Sequence, residues 1–120
     1  MSWQHHSDLL VWNKAMDLAA EIYRLTRYLP KEERYSLCDQ MHRAAVSIPS
    51  NIAEGQARNS TKEFVNFLSI ARGSNAELYT QFMICIQLGY VTAEEINTAL
   101  VMSEETGKML RTLIQRLGGE

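Results

Sequence analysis

Apolar residues recur at three- and four-residue steps along four stretches of the chain, which is the spacing that places side chains on one face of a helix. This pattern predicts helices over about residues 8–29, 31–57, 61–88 and 93–117. Short connections between long helices favour an all-α fold, an antiparallel up-down-up-down four-helix bundle. The 120 residues suit one domain, residues 1–120.

The second predicted helix contains a proline at its middle. An apolar stripe continues on both sides of it, at Leu37, Met41, Ala44, Ala45, Ile48 and Ile52. Proline inside a helix removes one backbone hydrogen bond and crowds the carbonyl four residues back, here that of Ala45. We therefore predict that helix two continues through Pro49 with a kink.

Helix ends carry recognisable signals. Ser7 followed by Asp8 suits the start of helix one. Ser60 with Glu63, and Thr92 with Glu95, have capping-box spacing. Two glycines complete the pattern. Gly89 is placed to end helix three, and Gly73 interrupts that helix at a cost of about 1 kcal/mol relative to alanine. We expect a close approach of a backbone or a ring at Gly73.

Composition indicates a soluble globular chain, with 46% apolar and 22% charged residues. A net charge of −2 argues against a dedicated nucleic-acid-binding domain. The charge is uneven: residues 24–72 hold eight Lys or Arg against five Asp or Glu, and residues 73–107 hold five Glu and no base. An acidic partner, subunits meeting with opposite signs, or solvated helix faces would each account for this.

The remaining composition suggests the compartment. Two separated cysteines, Cys38 and Cys85, suit a reduced cytosolic protein with buried thiols. No amino-terminal targeting signal and no apolar run of bilayer length occur. We expect a cytoplasmic protein without a membrane partner.

Metal and catalytic chemistry find little support in the sequence. A bundle metal site needs inward carboxylates with Glu-x-x-His pairs, whereas only Asp39-x-x-His42 approaches that spacing. Cys38 lies one turn from His42, but nucleophilic catalysis needs a positioned base with a third orienting group. We predict no metal, no cofactor, no catalytic residue and a packed thiol at Cys38.

A polar row is the most distinctive chemistry. Arg43, Ser47, Asn51, Glu54 and Arg58 step by four, four, three and four, which places them on one face of helix two. Helix three offers Arg72, facing Ser47 or Asn51, and Glu77, facing Arg43. We predict that these seven residues form a hydrogen-bonded network or a subunit contact. The alternative is a small-ligand or enzymatic site at Asn51, Glu54, Arg72 and Glu77.

Several segments together resemble one family. They are residues 47–55 (Ser-Ile-Pro-Ser-Asn-Ile-Ala-Glu-Gly), Gln40-x-x-Arg43-Ala44-Ala45, Ile70-Ala71-Arg72-Gly73-Ser74 and Leu88-Gly89-Tyr90. They resemble the four-helix-bundle protein family of 23S rRNA intervening sequences, which is similar to the accessory variability determinant of diversity-generating retroelements. The resemblance implies a cytosolic bacterial bundle that assembles into a homopentamer. The retroelement relatives bind a reverse transcriptase and nucleic acid.

We therefore predict a non-enzymatic, homo-oligomeric scaffold or adaptor that contacts RNA or a ribonucleoprotein. The residues predicted to contact nucleic acid are Arg24, Arg27, Lys31, Arg34, Arg43, Arg58, Lys62 and Arg72. A module whose partner is another protein is the plainer possibility.

Overall fold

The structure is a computed structural model that describes residues 9–119. Its α-helices are α1 (Leu10–Leu25), α2 (Leu37–Gln56), α3 (Thr61–Gln87) and α4 (Ala93–Arg116). Short 3-10 turns, Thr26–Tyr28 and Lys31–Glu33, lie between α1 and α2. Residues 9–119 contain no β-strand. The predicted all-helical fold with four helices is confirmed.

Each helix packs against two neighbours. α1 and α3 each contact both α2 and α4, and the α2–α3 contact is the most extensive. The body measures 48 × 23 × 22 Å. Its apolar core includes the fully buried Phe64, Phe82, Leu18, Ile22, Met41 and Ile96. Within residues 9–119, no helix is long and apolar enough to cross a membrane.

Contacts between connections define two ends of the body. At the first, Tyr90 after α3 donates to Glu33 before α2, 2.7 Å away. At the second, Arg58 after α2 approaches Glu63 at 4.0 Å, and Gly119 after α4 lies close to Val65 of α3. We call these the Tyr90 end and the Arg58 end.

The boundary between the first two helices differs from the prediction. α1 ends at Leu25, and α2 begins at Leu37, after the predicted start at residue 31. The hydroxyl of Thr26 donates to the Tyr23 carbonyl at 3.2 Å, and such a local bond competes with helix propagation. Leu29 is extended, with ψ 149°, as the residue before a proline prefers.

α2 is one continuous helix that includes Pro49. Pro49 is itself buried, and Ile48 and Ile52 on either side are fully buried. The apolar stripe predicted across the proline is therefore a core-facing stripe on both sides of it. Burial of this stripe offsets the lost backbone bond.

Close glycine packing occurs at Gly55, and the expectation for Gly73 is wrong. A Cβ at Gly55 would lie 2.6 Å from Phe67 Cβ and 3.1 Å from Phe64 Cδ1. A Cβ at Gly73 would meet nothing within 4 Å. The reason is orientation, because Gly73 lies on the exposed side of α3, whereas Gly55 is buried on the side of α2 that meets α3.

The predicted caps form to different extents. Thr92 and Glu95 make the complete capping box at the start of α4. Ser60 accepts from the Glu63 amide at 3.0 Å, but the Glu63 carboxylate accepts from the Ser60 hydroxyl at 3.3 Å. Gly89 ends α3 with φ 75°, the left-handed conformation that glycine adopts without strain. The predicted cap at Ser7 and Asp8 lies outside the described residues.

Candidate functional site

The polar row of α2 meets α3 through a pair of serines. Ser47 Oγ lies 2.8 Å from Ser74 Oγ. Asn51 Nδ2 donates to Ser47 Oγ at 2.9 Å and to the Ser47 carbonyl at 2.8 Å. All three side chains are half-buried. Because a partly buried network of this kind tolerates little sliding, it fixes the register of α2 on α3.

Arg58 gathers the next group of contacts, where α2 ends. Its guanidinium lies 3.1 Å from Glu54 and 4.0 Å from Glu63, and 4.8 Å from the centre of the Phe67 ring. The side chains of Arg58, Glu54 and Glu63 are about half exposed, so water screens these ion pairs. The ring contact adds a cation–π attraction that links α2 to α3.

Arg43 and Glu77 make intrahelical contacts in place of the predicted approach to each other. Arg43 pairs with Asp39 at 3.4 Å, and its side chain is 79% exposed. Glu77 accepts from Gln81 Nε2 at 3.4 Å. Gln81 is buried, and its Oε1 has no hydrogen-bond partner within residues 9–119.

The four residues predicted as a ligand site are bonded elsewhere or exposed. Asn51 bonds Ser47, Glu54 pairs with Arg58, and Glu77 bonds Gln81. Arg72 is exposed on α3. Within the predicted seven-residue network, the contacts join Ser47 with Asn51 and Glu54 with Arg58, and both interpretations of the polar row stay predictions.

A second polar contact, between α3 and α4, was not predicted from the sequence. Ser103 Oγ donates to Asn75 Oδ1 at 2.9 Å, and Asn75 Nδ2 donates to the Ser103 carbonyl at 3.0 Å. Both residues are buried. Gly107 leaves room for the amide, since a Cβ there would lie 3.1 Å from Asn75 Nδ2. The available signal was an asparagine and a serine in register with the apolar stripes of two helices.

The residues predicted to contact nucleic acid fall into separate groups. Arg24, Arg27, Lys31 and Arg34 lie at or near the Tyr90 end, and Arg24 is paired with Glu21 at 2.8 Å. Arg58 and Lys62 lie at the Arg58 end, whereas Arg43 and Arg72 lie within α2 and α3. The long axis of 48 Å separates the two ends, so the eight residues do not form one continuous patch.

Glu33 joins the connections at the Tyr90 end. Its carboxylate accepts from the Tyr90 hydroxyl at 2.7 Å and from the Ser36 hydroxyl at 2.6 Å. Both bonds lower the pKa of Glu33 below its ordinary value of 4.5, and the bond from Ser36 has the larger effect. The same carboxylate raises the pKa of Tyr90 above 10.0. A charged Glu33 beside a neutral Tyr90 is therefore the stable pair.

His42 lies in a stack between α1 and α2. Its ring centre is 3.9 Å from that of Tyr23, with 4° between the planes. Nε2 lies 2.8 Å from Thr26 Oγ1, whose proton goes to the Tyr23 carbonyl. We therefore assign Nε2 as the donor in the neutral ring. Burial lowers the pKa of His42 below 6.5, and the charge of Asp39 opposes that shift.

Cys38 and Cys85 are packed thiols, as predicted for Cys38. Cys38 Sγ donates to the Thr26 carbonyl at 3.8 Å, and Cys85 Sγ lies 3.8 Å from Met41 Sδ. Burial raises the pKa of Cys85 to about 11, and burial also raises that of Cys38. Thiols that stay protonated at neutral pH are poor nucleophiles.

The family follows from comparison with known proteins. The sequence matches the 23S rRNA-intervening sequence protein family over residues 7–112, a span that includes the polar row and the serine pair. The chain belongs to this family. The segment 47–55 that carried the resemblance lies in α2, where Ser47, Asn51 and Glu54 make the contacts described above.

One solved structure extends the family assignment to the fold. A protein of unknown function from the S23 ribosomal protein family of Bacteroides thetaiotaomicron superposes with a TM-score of 0.81 at 28% sequence identity. The match covers 88% of this chain and 96% of that one. No curated protein matches the sequence.

Proposed function

We propose that this 23S rRNA-intervening sequence protein is a non-enzymatic, homo-oligomeric scaffold or adaptor of the bacterial cytoplasm that contacts RNA or a ribonucleoprotein. The observation that carries the proposal is an apolar row on α3, on the side toward α2. Ile70 is 46% exposed, Ile84 is 40% exposed and Leu88 is 54% exposed. Helical spacing places all three on one side of α3, with the exposed Glu77 between Ile70 and Ile84. Exposed apolar side chains grouped on one side of a helix commonly mark protein interfaces.

Charge supports a ring in preference to a symmetric dimer. Glu77, Glu94, Glu95 and Glu104 are exposed on α3 and α4, and Arg27, Lys31, Arg34 and Arg43 are exposed near α2. Unlike surfaces that meet head to tail generate closed rings. The homopentamer implied by the family resemblance is an assembly of this type.

Native mass spectrometry with sedimentation velocity tests the assembly. We expect a pentamer for the wild type and dissociation on Ile84→Asp, because a carboxylate would be desolvated in the contact. Val101→Asp is the matched control, since Val101 on α4 is 42% exposed and lies outside the apolar row. A monomeric wild type, or equal dissociation by both variants, would contradict the assembly.

RNA contact is proposed at the Tyr90 end. Arg27, Lys31 and Arg34 are exposed there, whereas Arg58 at the other end is already engaged by two carboxylates and a ring. We expect Arg27→Gln with Arg34→Gln to weaken binding of 23S rRNA fragments and to reduce its salt slope by about two. Arg58→Gln with Lys62→Gln is the control at the opposite end. Absence of binding at low salt would contradict RNA contact and leave the assembly proposal standing.

We also infer the antiparallel up-down-up-down order and a kink at Pro49. Ser47 bonds Ser74, and Arg58 approaches Glu63, so later residues of α2 meet earlier residues of α3. Asn75 bonds Ser103 and Val65 lies close to Gly119, so earlier residues of α3 lie near later residues of the α4 region. The kink is supported by the missing amide of Pro49. Residual dipolar couplings of the two halves of α2 measure the angle directly, and a single common axis would exclude the kink.

A further inference from the structure

A groove between the start of α1 and the second half of α4 is separate from every contact described above. Its volume is about 550 Å³. Apolar side chains form much of its lining, among them Leu10, Met109 and Leu113. Leu10 is 76% exposed, a high exposure for a leucine. The volume lies within the range of about 300–1,000 Å³ that is usual for small-molecule sites.

Two cations line this apolar groove. Lys108 and Arg116 are exposed, and within residues 9–119 neither makes an ion pair or a side-chain hydrogen bond. Their positions on α4 correspond to an axial separation of about 12 Å. Elsewhere the same two helices are linked by the pair of Lys14 with Glu105 at 2.9 Å. Within residues 9–119, the groove lining includes no carboxylate.

We propose that this groove binds an amphipathic anion, a free long-chain carboxylate with one aliphatic tail. The tail packs on Leu10, Met109 and Leu113, which removes apolar surface of both partners from water. The carboxylate pairs with Arg116, whose planar guanidinium suits bidentate contact with carboxylate oxygens. Lys108 adds a second positive charge.

The chemistry of the lining distinguishes this ligand from other small anions. None of the lining residues within the described part of the chain is aromatic, so these residues offer a nucleobase no ring on which to stack. Among the lining residues from 9 to 119, Thr112 alone carries a hydroxyl, so a polyhydroxylated anion would lose hydrogen bonds to water with little replacement from them. A long-chain carboxylate needs neither an aromatic ring for stacking nor several hydrogen-bonding groups along its aliphatic tail.

Calorimetric titration with laurate below its micelle concentration tests the site. We expect saturable binding with one laurate per chain, and about tenfold weaker binding on Arg116→Gln. Arg111→Gln is the matched control, because Arg111 is exposed on α4 and does not line the groove. Dodecyltrimethylammonium carries the same tail with the opposite charge and is expected not to bind. Circular dichroism verifies that the variants are folded.

Amide chemical-shift mapping locates the bound laurate. We expect shifts confined to residues near Leu10, Met109 and Leu113. Equal binding of dodecyltrimethylammonium, equal loss by the two arginine variants, or shifts elsewhere would overturn the proposal. So would binding to anionic phospholipid vesicles without binding of monomeric laurate. In the ligand-free protein, nuclear Overhauser contacts from residues 1–8 to Leu113, or self-association abolished by Leu10→Asp, would assign the groove a different occupant and overturn the proposal equally.

Discussion

The two ends of the bundle are held together by different physics. At the Tyr90 end, hydrogen bonds of titratable groups hold the connections: Glu33 bonds Tyr90 of the connection after α3, and His42 of α2 bonds Thr26 of the connection after α1. At the Arg58 end, Gly55 lets α2 approach the rings of Phe64 and Phe67. The first kind of contact depends on protonation and the second on volume. We therefore expect the stability of the Tyr90 end to depend more on pH and that of the Arg58 end to depend more on side-chain size.

The difference follows from how each connection is built. The α2–α3 connection is short, so its helices leave the turn already in contact and small residues decide how close they come. The α1–α2 connection is longer and contains two 3-10 turns. Its backbone gains few helical bonds, so side-chain hydrogen bonds to Glu33 and Thr26 hold it in place.

The largest expected effect tests the volume-controlled end. Gly55→Ala places a Cβ 2.6 Å from Phe67 Cβ, and we expect it to lower the free energy of unfolding by about 1–3 kcal/mol. Gly73→Ala is the matched control, because its Cβ meets nothing within 4 Å; we expect a gain of about 0.5–1 kcal/mol. Urea denaturation measures both. If both substitutions changed the free energy of unfolding in the same direction, close packing at Gly55 would not explain the effect of Gly55→Ala.

A smaller effect tests the titratable end. Because the folded-state pKa of Glu33 lies below its ordinary value, its contribution to stability is present above about pH 4.5 and is lost as pH falls through the folded pKa. His42 acts in the same direction: its lowered pKa contributes stability above about pH 6.5 that is lost as pH falls.

We expect Tyr90→Phe to lower the melting temperature at neutral pH by less than Gly55→Ala, and to flatten its acid-side decline. Melting temperatures between about pH 3 and pH 7 measure this. Tyr35→Phe is the control, since Tyr35 at the same end is 86% exposed. An unchanged pH profile in Tyr90→Phe would show that the bond to Glu33 contributes nothing to the pH dependence.

The smallest effect compares the complete capping box at the start of α4 with the partial one at the start of α3. Glu95 accepts from the Thr92 amide at 2.9 Å, whereas Glu63 accepts from the Ser60 hydroxyl. We expect Glu95→Ala to cost about 0.5 kcal/mol more than Glu63→Ala, because only the first leaves an amide without its partner. The 4.0 Å approach of Glu63 to Arg58 is too long and too exposed to reverse the order. Thermal denaturation at neutral pH detects the difference, and a larger loss in Glu63→Ala would reject it.

Much of the architecture was predictable because helices are local structures. The apolar spacing of α2 continues on both sides of Pro49, and Ile48 and Ile52 are both fully buried in the structure. Thr92 with Glu95, and Gly89, are signals within one turn of the backbone they serve. Each needs only neighbouring residues to act.

The boundary of α2 was not predictable in the same way. At its start, the Leu37 amide donates to the Glu33 carboxylate at 3.4 Å, and Tyr90, which lies far along the chain, donates to the same carboxylate. The close packing at Gly55 is equally non-local, because it is set by two rings of α3. In the sequence, Asn75 and Ser103 are polar residues that interrupt two apolar stripes. Only the packing of α3 against α4 shows that they bond each other.

The sequence by itself therefore determined the helical class, the number of helices, the family and the polar row of α2, because periodicity, caps and motifs are carried by adjacent residues. Only the tertiary structure decided how those residues pair: Ser47 with Ser74, Arg58 with Phe67, and Lys108 and Arg116 around an apolar groove. Such pairs depend on the distance and rotation between helices, which packing of the whole core sets.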